Sequence, residues 1–413
     1  MFQYRINLFQ KSIIITFIFS MMSSLLNYFY QILLGNLLSV EEFGIYNSIN
    51  SLVANLVIVF TPLSIIVCQK TAACGEAIGR NKNFYRQALI FSGIVIVFLL
   101  SIGEGVYFLV RGKFGVSDRG YWQMLLFVVS IAGLYNIAYS IIQGLQRFMV
   151  YGIIGNFLII TKLGISIINV KIGMGVSGIL YAMLLSYLLT FVVINIFVYF
   201  VMKKNISGSK IDWHKQEVFK LYGITFISQI LISFYLNGGE IILMSFKFSE
   251  REVGIYSSAI SLGKISLYAV SVVSTVLLPT IASRSNQKGE AKAILYKSVL
   301  VSIFFVMIYI VFLLTIGKYL ILFFFGEAYK EALEYLPYVA VFSVPLSIIS
   351  IVHNFFLGIG RAGGYTFILG IGTLIAAGVI WCFVDSIKYV PAILGIGLGF
   401  ILVISLLYVK KRL

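Results

Sequence analysis

Charge, cysteine and histidine are all scarce in this chain, and each scarcity excludes a class of protein. Only 11% of the 413 residues are charged, against roughly a quarter in an average soluble domain. With 60% hydrophobic residues and a mean hydropathy of +1.01, no core in water would hide the apolar side chains, so lipid must be the solvent. The three cysteines, Cys68, Cys74 and Cys382, contain no CxxC pair, which argues against a disulfide framework or a thiolate metal site. Two histidines, His214 and His353, are too few for a zinc centre. Neither metal nor cofactor is expected. The phosphate-cradling pattern G-x-x-x-x-G-K-[ST] is also missing, so the chain is not expected to hydrolyse nucleotide. Acidic residues number 15 against 31 basic ones, a net charge of +16. In a soluble protein that excess would suggest nucleic acid. Here the basic residues fall in short loops between apolar runs, where they orient helices, and no nucleic-acid partner is expected.

Long hydrophobic runs are what remains. A helix needs about 20 mostly apolar residues to cross the hydrocarbon of a bilayer. Such runs occur at 12–37, 44–69, 87–110, 121–146, 150–170, 175–201, 221–246, 253–282, 298–317, 335–360, 364–384 and 389–409. The backbone must satisfy its own hydrogen bonds in lipid, which predicts helices; the short alternating segments of a lipid-facing barrel are not seen. The first run is longer than a signal-peptide core and has no small-x-small cleavage site, so it is expected to be a permanent span. With the N-terminus in the cytoplasm, twenty basic residues fall inside, nine outside, and Lys162 and Lys264 within spans. That bias puts both termini in the cytoplasm. The expected fold is an all-α polytopic membrane protein of about twelve transmembrane helices.

The halves resemble each other. Glu42-Phe-Gly-Ile-Tyr46 matches Glu252-Val-Gly-Ile-Tyr256, and Val97-Phe-Leu-Leu-Ser-Ile-Gly103 matches Val311-Phe-Leu-Leu-Thr-Ile-Gly317. Gly144-Leu-Gln-Arg-Phe-Met-Val-Tyr151 matches Gly358-Ile-Gly-Arg-Ala-Gly-Gly-Tyr365. Three matches in order, at nearly constant offset, predict a six-helix bundle over 1–202, a cytoplasmic linker over 203–216 and a second bundle over 217–413. An even number of helices per repeat gives both halves one orientation, and transporters with such repeats bind substrate between them. The pattern predicts two pseudo-symmetric bundles around a central cavity. Gly44 and Gly254 suit either a tight turn or a close helix approach.

These residues carry a resemblance. Leu34-Gly-Asn-Leu-Leu-Ser-Val-Glu-Glu-Phe-Gly-Ile-Tyr46 resembles the first external turn of polysaccharide exporters in the multidrug/oligosaccharidyl-lipid/polysaccharide superfamily. Phe248-Ser-Glu-Arg-Glu-Val-Gly-Ile-Tyr256, Leu277-Leu-Pro279 and Phe325-Gly-Glu-Ala-Tyr329 follow the same family's order. The resemblance implies a non-enzymatic flippase in the inner (plasma) membrane of a bacterium. It would carry undecaprenyl-diphosphate-linked oligosaccharide from the cytoplasmic to the outer leaflet, for O-antigen (lipopolysaccharide) or capsule biosynthesis. Polymerase and chain-length proteins of the same pathway are the further partners it implies. A cation-coupled multidrug exporter is the alternative. A polysaccharide polymerase is a third reading, disfavoured because the external loops are short.

Ionisable residues inside spans cost several kcal/mol unless they face a cavity or a partner, so the few present are the candidate site. Lys162 and Lys264 are expected to line the cavity and meet the diphosphate or acidic sugars, the alternatives being snorkelling or pairing with a carboxylate. Glu240 would form a structural ion pair with Lys264 or carry a coupling proton. Asn27, Gln31, Asn55 and Gln143 are candidates for sugar hydroxyls. Glu104 and Lys318, which align in the repeat, together with Lys70, Arg147 and Arg361, are expected at gates or rims. His353 is expected to be a buried, hydrogen-bonded core residue.

Overall fold

A computed structural model describes residues 2–74, 82–112, 119–203, 215–267, 270, 288–358 and 362–412. Leu277-Leu-Pro279, Arg361 and His214 lie outside the described residues, as does the linker beyond Lys203 up to residue 214. Within them the chain is helical throughout and has no strand. The helices are α1 (Phe2–Leu37), α2 (Val40–Val57), α3 (Thr61–Cys74), α4 (Lys82–Val110), α5 (Arg119–Gly144), α6 (Phe148–Lys171) and α7 (Gly175–Lys203). There follow α8 (Lys215–Leu236), α9 (Gly239–Lys247), α10 (Glu250–Gly263), α11 (Lys288–Phe325), α12 (Leu336–Gly358), α13 (Ala362–Phe383) and α14 (Val390–Arg412). Among the described residues ten helical segments are long and apolar enough to cross a membrane, or eleven if the bent pair α8 and α9 is one span. The run expected at 253–282 is described only in its first part, as α10.

Two expected spans depart from a regular helix, each for a local reason. The run at 44–69 is α2, a single 3-10 turn at Ile58–Phe60, and α3. Pro62 stands in the first turn of α3, where its missing N–H is harmless, but upstream its ring would clash with a helical carbonyl. The run at 221–246 bends by 65° between Leu236 and Gly239. Gly238 has a φ of +78° there, a left-handed conformation that a side chain disfavours.

By contacts the chain forms two compact units. One comprises Met1–Tyr30 with Leu52–Gln229, the other Gln31–Ser51 with Ile230–Leu413. In the first, α5 is the central helix, with Leu125, Val129, Ala132, Ile137 and Ile141 buried. Small residues bring α5 close to its neighbours: Gly133 lies against the Phe60 ring and Gly144 against Cys68 O and Thr71. In the second, α12 is central. Ser343 Oγ donates to Gly263 O over 3.1 Å and Ser347 Oγ to Ser266 Oγ over 2.9 Å. Small and hydroxylated residues at helix contacts are how spans associate where lipid removes the hydrophobic drive. Outward-facing side chains are the reverse of a water-soluble protein's, with Phe108, Phe323 and Phe383 about four-fifths exposed (79%, 81% and 79%). An apolar groove of about 640 Å³ between α13 and α14, lined by Phe367, Ile371, Ile375, Ile396 and Phe400, continues this surface.

Candidate functional site

In the first unit the candidate charge is Lys162, on α6. Its Nζ lies 4.5 Å from the ring centroid of Tyr30 on α1, and among the described residues no carboxylate pairs with it. Ser166, one turn along α6, is 2.9 Å from the Tyr30 hydroxyl, so Lys162 and Ser166 share the face of α6 turned to α1. Further along the same seam Ser23 Oγ donates to Asn156 Oδ1 over 3.0 Å, and Asn156 Nδ2 donates to Gly152 O over 2.9 Å. Gly152 lets α6 approach Phe19 where a Cβ would overlap the ring. Asn27 is turned back on its own helix and donates to Ser23 O over 3.0 Å. A cation–π contact supplies about 0.5–1 kcal/mol, or about 2 when desolvated. A lysine at mid-span costs roughly 2.5–3.5 kcal/mol on insertion scales. Tyr30 therefore offsets only part of the cost, and the ammonium still favours an anion.

The second unit holds a compensated charge. Lys264 Nζ is 3.0 Å from Glu240 Oε1, with the glutamate fully buried and the lysine side chain 18% exposed. The Asn237-Gly-Gly-Glu240 sequence positions the carboxylate. Asn237 Nδ2 donates to Ser233 Oγ over 2.7 Å at the end of α8, Gly238 turns the chain, and Glu240 enters the first turn of α9. Lys264 caps the end of α10. A negative charge at a helix start and a positive one at a helix end both suit the helix dipole. Glu240 Oε2 has no hydrogen-bond partner among the described residues, so one lone-pair face of a buried carboxylate is left for a proton or a water. Elsewhere in this unit Gln31 Nε2 donates to Asn47 Oδ1, and Ser48 Oγ lies 2.6 Å from Ser245 Oγ.

The remaining candidates are dispersed. Glu104 accepts from Arg119 Nη2 over 2.8 Å and Nε over 3.0 Å, and from Gln123 over 3.1 Å. This pair is largely exposed, a setting in which ion pairs contribute little. Lys318 is exposed on α11, and Gln143 is exposed near the end of α5. Lys70 and Asn55 are half-buried on α3 and α2. Arg147 precedes α6 with its guanidinium 5.7 Å from the Phe197 ring centroid. His353 is buried, but neither ring nitrogen has a hydrogen-bond partner among the described residues, contrary to the hydrogen-bonded core residue expected. Its ring lies 5.7 Å from that of Tyr365.

Sequence reading passed over Tyr30, Ser166 and Asn156, which carry no signal beyond being polar or aromatic in an apolar run. It also passed over Ser39 and Ser249, which did carry one. Each stands three residues before a glutamate of the repeated motif, the S-x-x-E pattern of a capping box. Ser39 N donates to Glu42 Oε2 over 3.1 Å and Glu42 N to Ser39 Oγ over 3.2 Å. Ser249 and Glu252 repeat the exchange at 3.0 and 3.3 Å.

Over 97% of its length the chain superposes on a MOP superfamily transporter from Pyrococcus furiosus, covering 95% of that chain with a TM-score of 0.71 at 17% identity. That transporter is described as having a binding pocket of reversed polarity that suggests a different function. The inward-facing form of a multidrug resistance MATE transporter aligns with 97% of this chain and 98% of its own, TM-score 0.70, at 16% identity. An outward-facing MATE form aligns over 97% and 95%, TM-score 0.69, at 18% identity. No curated protein matches the chain. The fold and the candidate spans together define an all-α multi-pass membrane protein. Residues 117–334, more than half the chain, match the family described as polysaccharide biosynthesis protein. The chain belongs to that family.

Proposed function

We propose that the protein flips undecaprenyl-diphosphate-linked oligosaccharide from the cytoplasmic to the outer leaflet of a bacterial inner membrane. Halves 1–202 and 217–413, joined through 203–216, would expose the substrate to one side at a time, with both termini cytoplasmic. The observation that carries this reading is Lys162. It is an ammonium inside a span with an aromatic ring beside it and, among the described residues, no carboxylate paired with it, a setting suited to a mobile anion such as a diphosphate. Lys264 is held by Glu240, so it would meet the substrate only when Glu240 takes up a proton. That exchange would couple proton entry to release of a second cation for the phosphates.

Deleting the protein and analysing lipid-linked intermediates tests the reading. Intact repeat units should accumulate on the cytoplasmic leaflet, and surface polysaccharide should fall. Units already outside but unpolymerised would identify a polymerase instead. The second reading, a cation-coupled exporter of amphipathic drugs, draws support from the fold shared with MATE transporters and from a carboxylate inside a span. Drug sensitivity on deletion with surface polysaccharide intact would favour it.

A further inference from the structure

Three polar side chains are buried at one level of the second unit without a polar partner. His353 lies on α12, one to two turns before its end at Gly358, and Tyr365 lies near the start of α13. Their ring centroids are 5.7 Å apart, and the Tyr365 ring stacks on that of Phe356 at 4.7 Å. Ser405 comes from α14. A Cβ on Gly395 of that helix would lie 2.9 Å from Phe342 Cα, and the Tyr408 ring is 5.9 Å from that of Phe356. These contacts join residues 53 and 52 positions apart, so α12 and α14 run parallel. Ser405, 52 positions beyond His353, therefore stands level with it. His353 is 5% exposed, and Tyr365 and Ser405 are fully buried. Both imidazole nitrogens, the Tyr365 hydroxyl and Ser405 Oγ lack a hydrogen-bond partner among the described residues.

Serines of α12 turn back on their own helix: Ser343 donates to Val339 O over 2.8 Å and Ser347 to Ser343 O over 2.9 Å. Ser405 makes no such bond. A neutral imidazole always carries one N–H donor and one bare acceptor, and stranding such groups in an apolar interior is costly. Ordered water fills gaps of this kind where it finds about two to four polar partners, and four such atoms converge on this level. A metal fits poorly, since among the described residues no three His, Cys, Asp or Glu side chains gather to hold one. On the helices packed around His353 the titratable side chains are Tyr365, Tyr408, Tyr296 and Tyr309, with Lys264 at the end of α10. Tyrosines and a paired lysine keep their protons at neutral pH, which leaves water to exchange one with His353. A path to the ion pair is also present. Tyr235, fully buried at the end of α8, lies within electrostatic reach of Glu240 on one side and of Tyr365 on the other. Glu240 Oε2 is the open acceptor at the far end.

We propose that this pocket is a hydrated proton station: ordered water joins His353, Tyr365 and Ser405, and His353 relays protons between that water and Glu240 by way of Tyr365 and Tyr235. The imidazole takes a proton on one nitrogen and gives up the one on the other. Glu240 receives a proton on Oε2, and Lys264 is freed. The relay rests on the proton uptake at Glu240 put forward above; the hydration of the pocket does not. His214→Gln leaves His353 as the single histidine, so its ring can be labelled and observed alone by NMR in the purified protein in lipid. Magnetisation should pass from water to the ring, and Tyr365→Phe with Ser405→Ala should weaken the transfer. A dry ring, or transfer undiminished in that variant, would overturn the station. The infrared carboxyl band missing from Glu240→Gln reports the second step. After a drop in pH it should rise about a hundredfold more slowly in His353→Phe than in the parent, and an equal rate would overturn the relay. The NMR measurement on the unaltered pocket decides the hydration even where a variant misfolds. If deletion leaves lipid-linked repeat units undisturbed while the ring is wet and the band slows, the export reading fails and the station stands.

Discussion

Lys162 and the Lys264–Glu240 pair pose opposite problems at the scale of single residues, and their substitutions should separate. Lys162→Gln removes a charge that the fold offsets only in part, so the protein should reach the membrane at normal levels. Export should fall, measured as lipid-linked repeat units retained on the cytoplasmic leaflet, and Lys162→Arg should restore part of it. Normal export by the glutamine variant would remove Lys162 from the mechanism. Glu240→Gln strips a buried lysine of its partner, a loss worth about 3–5 kcal/mol where one member of a buried pair is deleted. Its Tm in detergent should drop, and adding Lys264→Met should recover most of the loss, because a buried pair replaced whole is often neutral or better. Recovery of stability without recovery of export would separate the structural role from coupling.

Among the helices, the breaks matter more than the continuous stretches. Gly238→Ala forces a side chain into a left-handed backbone, costing about 1–2 kcal/mol, and its Cβ would also overlap Ser51 Oγ. Gly378→Ala, on the regular helix α13 with nothing within 4 Å of its added Cβ, should be neutral or stabilising by up to about 1 kcal/mol. Thermal unfolding of the two variants side by side checks the contrast; equal destabilisation would mean the bend at Gly238 is not strained. These breaks were readable only in part. Asn237-Gly-Gly and Pro62 are visible punctuation, but hydropathy runs straight across both, since neither interrupts an apolar window. The capping boxes at Ser39 and Ser249 were equally visible, at the edges of the runs rather than within them.

For the whole molecule, the twofold excess of basic residues on one side predicts orientation. A phosphatase reporter fused after Gly112 should be active, and one fused after Lys203 inactive, as expected for external and cytoplasmic loops. The reverse pattern would invert the flipping direction proposed here. The membrane class was legible because every run of twenty apolar residues points independently to a lipid surrounding.

From the sequence alone came the all-helical membrane fold, the approximate position of most spans, the repeat and the small set of costly charges. Lipid offers the backbone no hydrogen bonds, so apolar length translates directly into helix. Tertiary structure alone decided that Lys162 sits against Tyr30, on a helix remote in sequence, and it bears out the pairing of Glu240 with Lys264 that the sequence offered as one of two roles. It also decided that Gly44 and Gly254 make a close approach instead of a turn, each facing the backbone of the other's helix. Such pairings depend on which faces of distant helices meet. A lone polar side chain or glycine in an apolar run carries no periodic signal to announce its partner.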